Sequence, residues 1–372
     1  MNKKKTSKLL LTFIALLSLI IGFVLGSIVK LYTIQPISDT IINGDLKIHF
    51  LELGNNNSGD CILIQIGEYD ILVDAGSKRS SFDTIKNYVD DKINDNTLEY
   101  VIVTHAHEDH YANFAGDGET SLFSYYKVKN IIQFAKTNQT TGVQYNNYLK
   151  MVEKEKQEGA NVYNALECYN NQKGCAREID LGYSVELEIL YNYYYENKAD
   201  SENDYSVCFM INQGDNHFLF TGDLEDNGEE KLIEYNALPK VTLYKAGHHG
   251  SSTSSSSEFM EVIQPEIVII QCVAGNFEYA KNEVGNVNID GTFPTTKTLT
   301  TIAKYTDKVY VTSQGIILEN PDGTYEDMGF KSMNGNIVVE SNAMGVNVKG
   351  SNNNTLLKDT DWAKTFRANI DW

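Results

Sequence analysis

The run Tyr100-Val101-Ile102-Val103-Thr104 leads directly into His105-Ala106-His107-Glu108-Asp109-His110, and this junction constrains the fold more than any other part of the chain. The apolar, β-branched run reads as a buried strand. Three of the seven histidines and an aspartate therefore fall at a strand's C-terminal end, which is where α/β proteins place their chemistry. Imidazole nitrogens and carboxylate oxygens are the donors that zinc and similar divalent ions take. A polar loop of individually satisfied histidines is the alternative, and it gives no reason for their concentration here.

The 372 residues leave room for one large domain plus extensions. Lys3, Lys4, Lys5 and Lys8 precede an uncharged, mostly apolar run from Leu9 to Val29. At ~1.5 Å per residue that run spans a ~30 Å hydrocarbon core. The basic flank predicts a cytoplasmic N-terminus, a single-pass anchor in the cell membrane and an extracellular remainder. The alternative is a secreted chain with a cleaved signal, whose apolar core is normally only ~7–15 residues. The expected organisation is a basic flank and transmembrane anchor over 1–30, a linker over 31–45, the main domain over 46–326 and a strand-rich extension over 327–372.

The net charge is −19, and the first 30 residues hold five lysines and no acid, so the remainder is more acidic still. Proteins that wrap nucleic acid neutralise phosphates with clustered Lys and Arg. No such cluster exists here, which argues against an extended nucleic-acid surface but not against a single strand end reaching a metal site. Cys61, Cys208 and Cys272 lie in apolar runs and read as buried free thiols. Cys168 and Cys175 bracket a polar turn. Outside the cell they form a disulfide or remain a pair of loop thiols.

Strands are expected at Leu46–Leu51, Cys61–Ile66, Asp70–Val73 and Lys127–Phe134, with helices at Ser80–Lys92 and Tyr145–Gly159. The second half repeats the rhythm. Its strands fall at 183–191, 207–212, 218–220, 241–245, 266–271 and 308–312, its helices at 227–236, 254–263 and 295–303. This pattern predicts the α/β class: an αββα sandwich of two facing mixed sheets with helices outside.

Four further polar stretches sit at strand ends: Val73-Asp74-Ala75-Gly76, Asn203-Asp204-Tyr205-Ser206, Thr221-Gly222-Asp223 and Gly247-His248-His249-Gly250-Ser251. Any one is a weak signal; together and in this order they are specific. The set resembles the metallo-β-lactamase fold of binuclear metal hydrolases, over roughly Leu46 to Gln314. The resemblance implies two divalent ions, Zn²⁺ or Mn²⁺. His105 and His107 would hold one, Asp109 and His110 the other, and Asp223 would bridge them. One of His248 and His249, with His249 preferred, would complete the set, and Asp74 would orient a ligand histidine. A further ligand histidine usual in that superfamily is missing. His217, the only histidine in the interval, lies at the far end of its strand from Asp223, and Asn203, Asp204 or water is left to substitute. Lys245, Ser206 and Ser251 stand beside the ligand turns as substrate contacts, Lys245 and the two aspartates Asp109 and Asp223 being the candidate catalytic groups.

The missing histidine narrows the resemblance. The chain is similar to the hydrolase domain of bacterial competence DNA-uptake channels, in its strand–Gly–Asp start, its Asn-x-x-Ser stretch and its Gly-His-His-Gly-Ser turn. It is also similar to the teichoic-acid phosphorylcholine esterase, in Lys47-Ile48-His49-Phe50 and Leu190-Tyr191-Asn192-Tyr193. Both relatives imply phosphodiester cleavage by a metal-bridging hydroxide. The expected substrate is a phosphodiester in a cell-wall polymer, a head group or a nucleic-acid end. An acidic surface suits a cationic leaving group, for which Tyr191, Tyr193, Tyr194 and Tyr195 could form an aromatic cage, although core and rim packing is the favoured reading of these rings. The competing readings are an extracellular metal-dependent nuclease and a non-catalytic binding protein with a vestigial site.

Overall fold

A computed structural model describes residues 46–281, 286–342 and 344–372. The expected anchor and linker over 1–45 lie outside the described residues. Among the described residues no helix is long and apolar enough to cross a membrane.

Two mixed eight-stranded sheets face each other. The first half supplies β1 (Leu46–Phe50), β2 (Ile62–Ile66), β3 (Tyr69–Val73), β4 (Thr97–Val103), β5 (Lys127–Gln133) and β6 (Asn161–Asn164). The second sheet takes β7 (Glu178–Asp180), β8 (Val185–Ile189), β9 (Phe209–Gln213), β10 (Asn216–Phe220), β11 (Leu243–Lys245), β12 (Ile267–Ala274), β13 (Val309–Glu319) and β14 (Tyr325–Ser332). The chain then returns to the first sheet with β15 (Ile337–Asn342) and β16 (Gly345–Gly350), giving the order β16-β15-β1-β2-β3-β4-β5-β6. Residues 327–372 thus supply strands to both sheets. A last helix places Trp362 and Arg367 in the interior.

Period-two alternation sorts the second sheet's side chains between two cores. Phe218, Phe220 and Leu243 point into the gap between the sheets, and Phe220 stacks on Phe209 at 4.7 Å and meets Phe50 of the first sheet at 6.3 Å. Leu219, Tyr244 and Ile270 point the other way, under helices carrying Leu232, Phe259 and Leu299. The first sheet is covered by α1 (Phe82–Lys92), α2 (Glu108–Ala115) and α3 (Val143–Gln157); Ile85 and Val89 of α1 are fully buried. Cys168 and Cys175 are joined in a disulfide, and Cys61, Cys208 and Cys272 are buried free thiols.

His49 of β1 is 4 % exposed and its Nδ1 lies 2.9 Å from the Tyr88 hydroxyl of α1. Burial, with Lys92 and Lys47 nearby, pushes its pKa down from 6.5 to about 4. Between those values the folded chain binds fewer protons here than the unfolded chain, so stability falls as pH drops through this window. Urea unfolding at pH 7 and pH 4.5 is expected to show a smaller acid loss in His49→Gln than in the native chain; an unchanged loss would remove His49 from the account.

Candidate metal centre

The ligand turns cluster at one edge of the sandwich because parallel pairing of β3 with β4, and of β10 with β11, aligns their C-terminal ends. Asp74 follows β3 with φ +56°, a left-handed conformation that turns its carboxylate across to β4. There it accepts hydrogen bonds from Thr104 N at 2.8 Å and Thr104 Oγ1 at 2.7 Å, and its Oδ2 lies 2.8 Å from His110 Nδ1. The loop after β3 passes so close to α2 that a Cβ on Gly76 would lie 1.4 Å from the Asp109 carbonyl oxygen. Only glycine allows that approach, and it sets Asp109 at the start of α2.

From the second sheet come Asp223, after β10, and His249, after β11. His248 and His249 both sit at positive φ, +45° and +52°, a conformation that costs a non-glycine residue roughly 1 kcal/mol or more. The strain divides the pair. His249 is fully buried and His248 turns to the rim. Asp109, His110, Asp223 and His249 then offer four donor atoms that all lie within 4.8 Å of one another. His110 Nε2 is 3.1 Å from Asp223 Oδ2, and His249 Nε2 is 3.3 Å from the same oxygen and 3.4 Å from Asp109 Oδ2. His249 Nε2 and Asp223 Oδ1 are buried without a hydrogen-bond partner.

Orphaned buried polar atoms are rare in folded chains and call for an explanation; a cation accounts for these. Ligands about 2.0–2.2 Å from one ion are at most ~4.4 Å apart, so the observed spread closes with shifts of a few tenths of an ångström. The N₂O₂ donor set suits Zn²⁺ or Mn²⁺. His105 and His107 stand alongside, His105 Nε2 and His107 Nδ1 converging at 3.0 Å. Burial, then the charge of His110, holds the His105 pKa well below its ordinary value, so His105 is neutral and able to bind a metal.

The other expected site residues go to different places. His248 Nδ1 lies 3.1 Å from Thr253 Oγ1, 3.4 Å from Asn203 Nδ2 and 3.5 Å from Glu225 Oε1. Asp204 accepts a hydrogen bond from Glu225 N, and burial pushes its pKa up to about 6; it does not enter the ligand cluster, because its short turn aims it at the following helix. Ser206 Oγ accepts from Asp223 N and so fixes Asp223. Ser251 Oγ pairs with Thr253 Oγ1 and is 6 % exposed. Lys245, expected as a phosphate contact, is instead 1 % exposed. It shares the inward face of β11 with Leu243, which leaves it under the cluster in an ion pair with Asp60. The tyrosines of the expected cage pack on one another: Tyr191 and Tyr193 on Tyr235, at 5.5 and 5.9 Å, while Tyr195 is buried and its hydroxyl accepts from Cys208 N.

Sequence reasoning gave no role to Asp60, a fully buried carboxylate whose Oδ1 lies 3.3 Å from His249 Nδ1. The Gly59-Asp60 pair was its only signal. Nor did it find Tyr279, which is 55 % exposed and stacks at 5.3 Å on Phe293, itself against His248 and His249. The Phe293 ring between Tyr279 and His249 sets Tyr279 at the mouth of the cluster.

Burial opposes the charged form of His110 and His249, but Asp223 and the second aspartate beside each ring (Asp74 and Asp60) outweigh it, and both pKa values rise well above 6.5. At neutral pH both rings are therefore protonated in the metal-free chain. A divalent ion needs them neutral. Calorimetric titration with Zn²⁺ in buffers of different ionisation enthalpy is expected to report release of about two protons per ion, one from each ring. Release of none would contradict these ligands.

Residues 54–120 match the family described as the metallo-beta-lactamase superfamily. The chain is 34% identical over 76 residues to ComE operon protein 3 of Bacillus subtilis, covering 20% of this chain and 10% of that protein. It is 33% identical over 104 residues to competence protein ComA of Neisseria gonorrhoeae, covering 28% and 15%. The chain thus spans about a tenth of the length of the curated relatives it matches first. Similar solved structures include the metallo-β-lactamase fold protein YhfI from Bacillus subtilis, with 12% identity, TM-score 0.35 and coverage of 61% of this chain and 86% of that one. Another is CmlA, a diiron β-hydroxylase from Streptomyces venezuelae, with 12% identity, TM-score 0.35 and coverage of 63% and 46%. The family match thus falls on the segment that carries the His105–His110 cluster, and the chain is similar to the two competence proteins over less than a third of its length.

Proposed function

We propose that this chain is a metal-dependent phosphodiester hydrolase, displayed outside the cell on its N-terminal anchor. The observation that carries the hydrolase reading is the largely buried cluster of Asp109, His110, Asp223 and His249, with its unpartnered His249 Nε2. Divalent ions held there supply Lewis acidity and activate water. The protein's own groups do the rest. Asp74 and Thr104 fix the His110 ring, and Ser206 fixes Asp223. The carbonyl of Gln271 lies 3.0 Å from His249 Nδ1 and orients that ring. His248, Asn203 and Thr253 ring the mouth with polar atoms suited to phosphate oxygens, and Tyr279 offers a flat face to a leaving group.

A phosphodiester that carries a cationic group, in a head group or a wall polymer, is the preferred substrate because the chain is strongly acidic, at −19, which attracts cationic groups and repels bare polyanions such as nucleic acid. The competence-protein matches favour a second reading, a nuclease acting on a strand end. A panel separates them: p-nitrophenyl phosphorylcholine, bis(p-nitrophenyl) phosphate and labelled single-stranded DNA, each with Mn²⁺ or Zn²⁺. Turnover of the small esters without DNA cleavage supports the first reading. DNA cleavage alone replaces it with the second, and inertness of a metal-loaded chain towards all three leaves a binding protein.

A further inference from the structure

A carboxylate that bridges two ions presents one oxygen to each. The two oxygens of Asp223 face different partners. Oδ2 meets His110 and His249 at 3.1 and 3.3 Å, whereas Oδ1 lies 3.9 Å from the ammonium of Lys245. Lys245 is fully enclosed and is held from its other side by Asp60. Asp60 in turn reaches the outer nitrogens of both ligand rings, His249 Nδ1 at 3.3 Å and His110 Nδ1 at 3.9 Å. The cation is therefore built into the floor of the cluster, on the oxygen that a second ion would need.

The second ion position is also short of ligands. His105 and His107 offer two converging nitrogens, and among the described residues no third His, Cys, Asp or Glu donor groups with them within 4.8 Å. A structural zinc position takes four donors, and even a catalytic one takes three from protein. Of the segment left to replace the missing histidine, Asp204 accepts from Glu225 N, and Asn203 donates its Nδ2 to Glu225 and keeps only its Oδ1 unpartnered, a neutral amide oxygen in place of an imidazole.

Resting on the metal-centre reading above, we propose that Lys245 is a permanent cation of this centre. It engages Asp223 Oδ1, so the chain holds one divalent ion tightly, through Asp109, His110, Asp223 and His249, and a second only weakly, through His105 and His107. Two positive centres compete for one carboxylate charge, and in a buried site that competition is poorly screened. Lys245 is thus a positioning residue: it touches neither substrate nor ion and acts through Asp223 and Asp60.

The test is the metal stoichiometry of the full chain in detergent, stripped and then dialysed against graded Mn²⁺ or Zn²⁺, with elemental analysis of the protein. The native chain is expected to retain one ion per molecule and to take a second with at least tenfold lower affinity. Asp109→Ala is expected to lose the tight ion and His105→Ala to keep it. The double variant Lys245→Met/Asp60→Asn removes both buried charges together and is expected to tighten the second ion by at least tenfold. Two ions of equal affinity in the native chain, lost together in His105→Ala, would overturn the proposal, and so would a folded double variant with an unchanged second site. The native titration decides the question even where the double variant does not fold. Failure to bind any ion would overturn the metal-centre reading, and this proposal with it.

Discussion

Alanine at Asp223 is expected to lower kcat/KM on a phosphodiester by on the order of 10³-fold or more, the scale lost when one preorganised charge-stabilising group is removed. Asp223 Oδ2 is the oxygen shared by His110 and His249. Its loss takes an anionic ligand from the tight site and leaves two buried imidazoles facing each other. The tight ion is expected to go with it, which elemental analysis reads independently of activity. Asp223→Asn, nearly the same shape without the charge, is expected to fall almost as far. A folded Asp223→Asn that kept its metal and its rate would mean that the shape of this side chain matters and its charge does not. Ser206→Ala offers the graded comparison. It removes only the hydroxyl that accepts from Asp223 N, and an outer partner of this kind typically costs ~10–100-fold in affinity or activity.

The largest effect on stability is expected at Lys245. Lys245→Met fits a similar volume but takes from Asp60, 2 % exposed, its nearest cation, leaving His249 at 3.3 Å as its closest charged neighbour. Breaking a buried ion pair from one side costs about 3–5 kcal/mol. Removing both partners costs far less, because the desolvation of the pair is relieved at the same time. Urea unfolding of the metal-free chains is therefore expected to rank native and Lys245→Met/Asp60→Asn close together, with Lys245→Met well below both. A single variant as stable as the native chain would show that water or a shifted His249 already neutralises Asp60.

The candidate donors were legible in the sequence wherever one belongs to a turn that ends an apolar strand. His105, His107, Asp109, His110, Asp223 and His249 all meet that condition, and the two-sheet α/β architecture follows from the same strands. Asp60 does not meet it, since it precedes β2 and has no neighbour of its own kind. Its place depends on β2 pairing with β1 and β3, a long-range fact. Lys245 was found but turned the wrong way. β11 is only three residues long, too short for alternation to reveal which face meets the other sheet, and a lysine beside a ligand turn reads as exposed by default. His248 and His249 are neighbours of equal chemistry and both sit at positive φ, and only the fold tells them apart, burying His249 and leaving His248 at the rim beside Glu225. The tyrosines at 191, 193 and 195 find partners in Tyr235 and in the core, the core and rim packing that the sequence favoured for them.

The pairing of β1 with β15 has a consequence for synthesis on the ribosome. Leu46 lies opposite Ser341 and Phe50 opposite Ile337, so the first described strand waits for nearly the last before its outer edge is closed. Until then a growing chain carries an open, apolar strand edge, the feature through which nascent proteins join one another instead of folding. The histidine-rich turn is translated early, yet Asp223 and His249 follow more than a hundred residues later and the closing strand later still. A chain that ends before residue 337 is thus expected to keep this strand edge open and to aggregate more readily than the full chain.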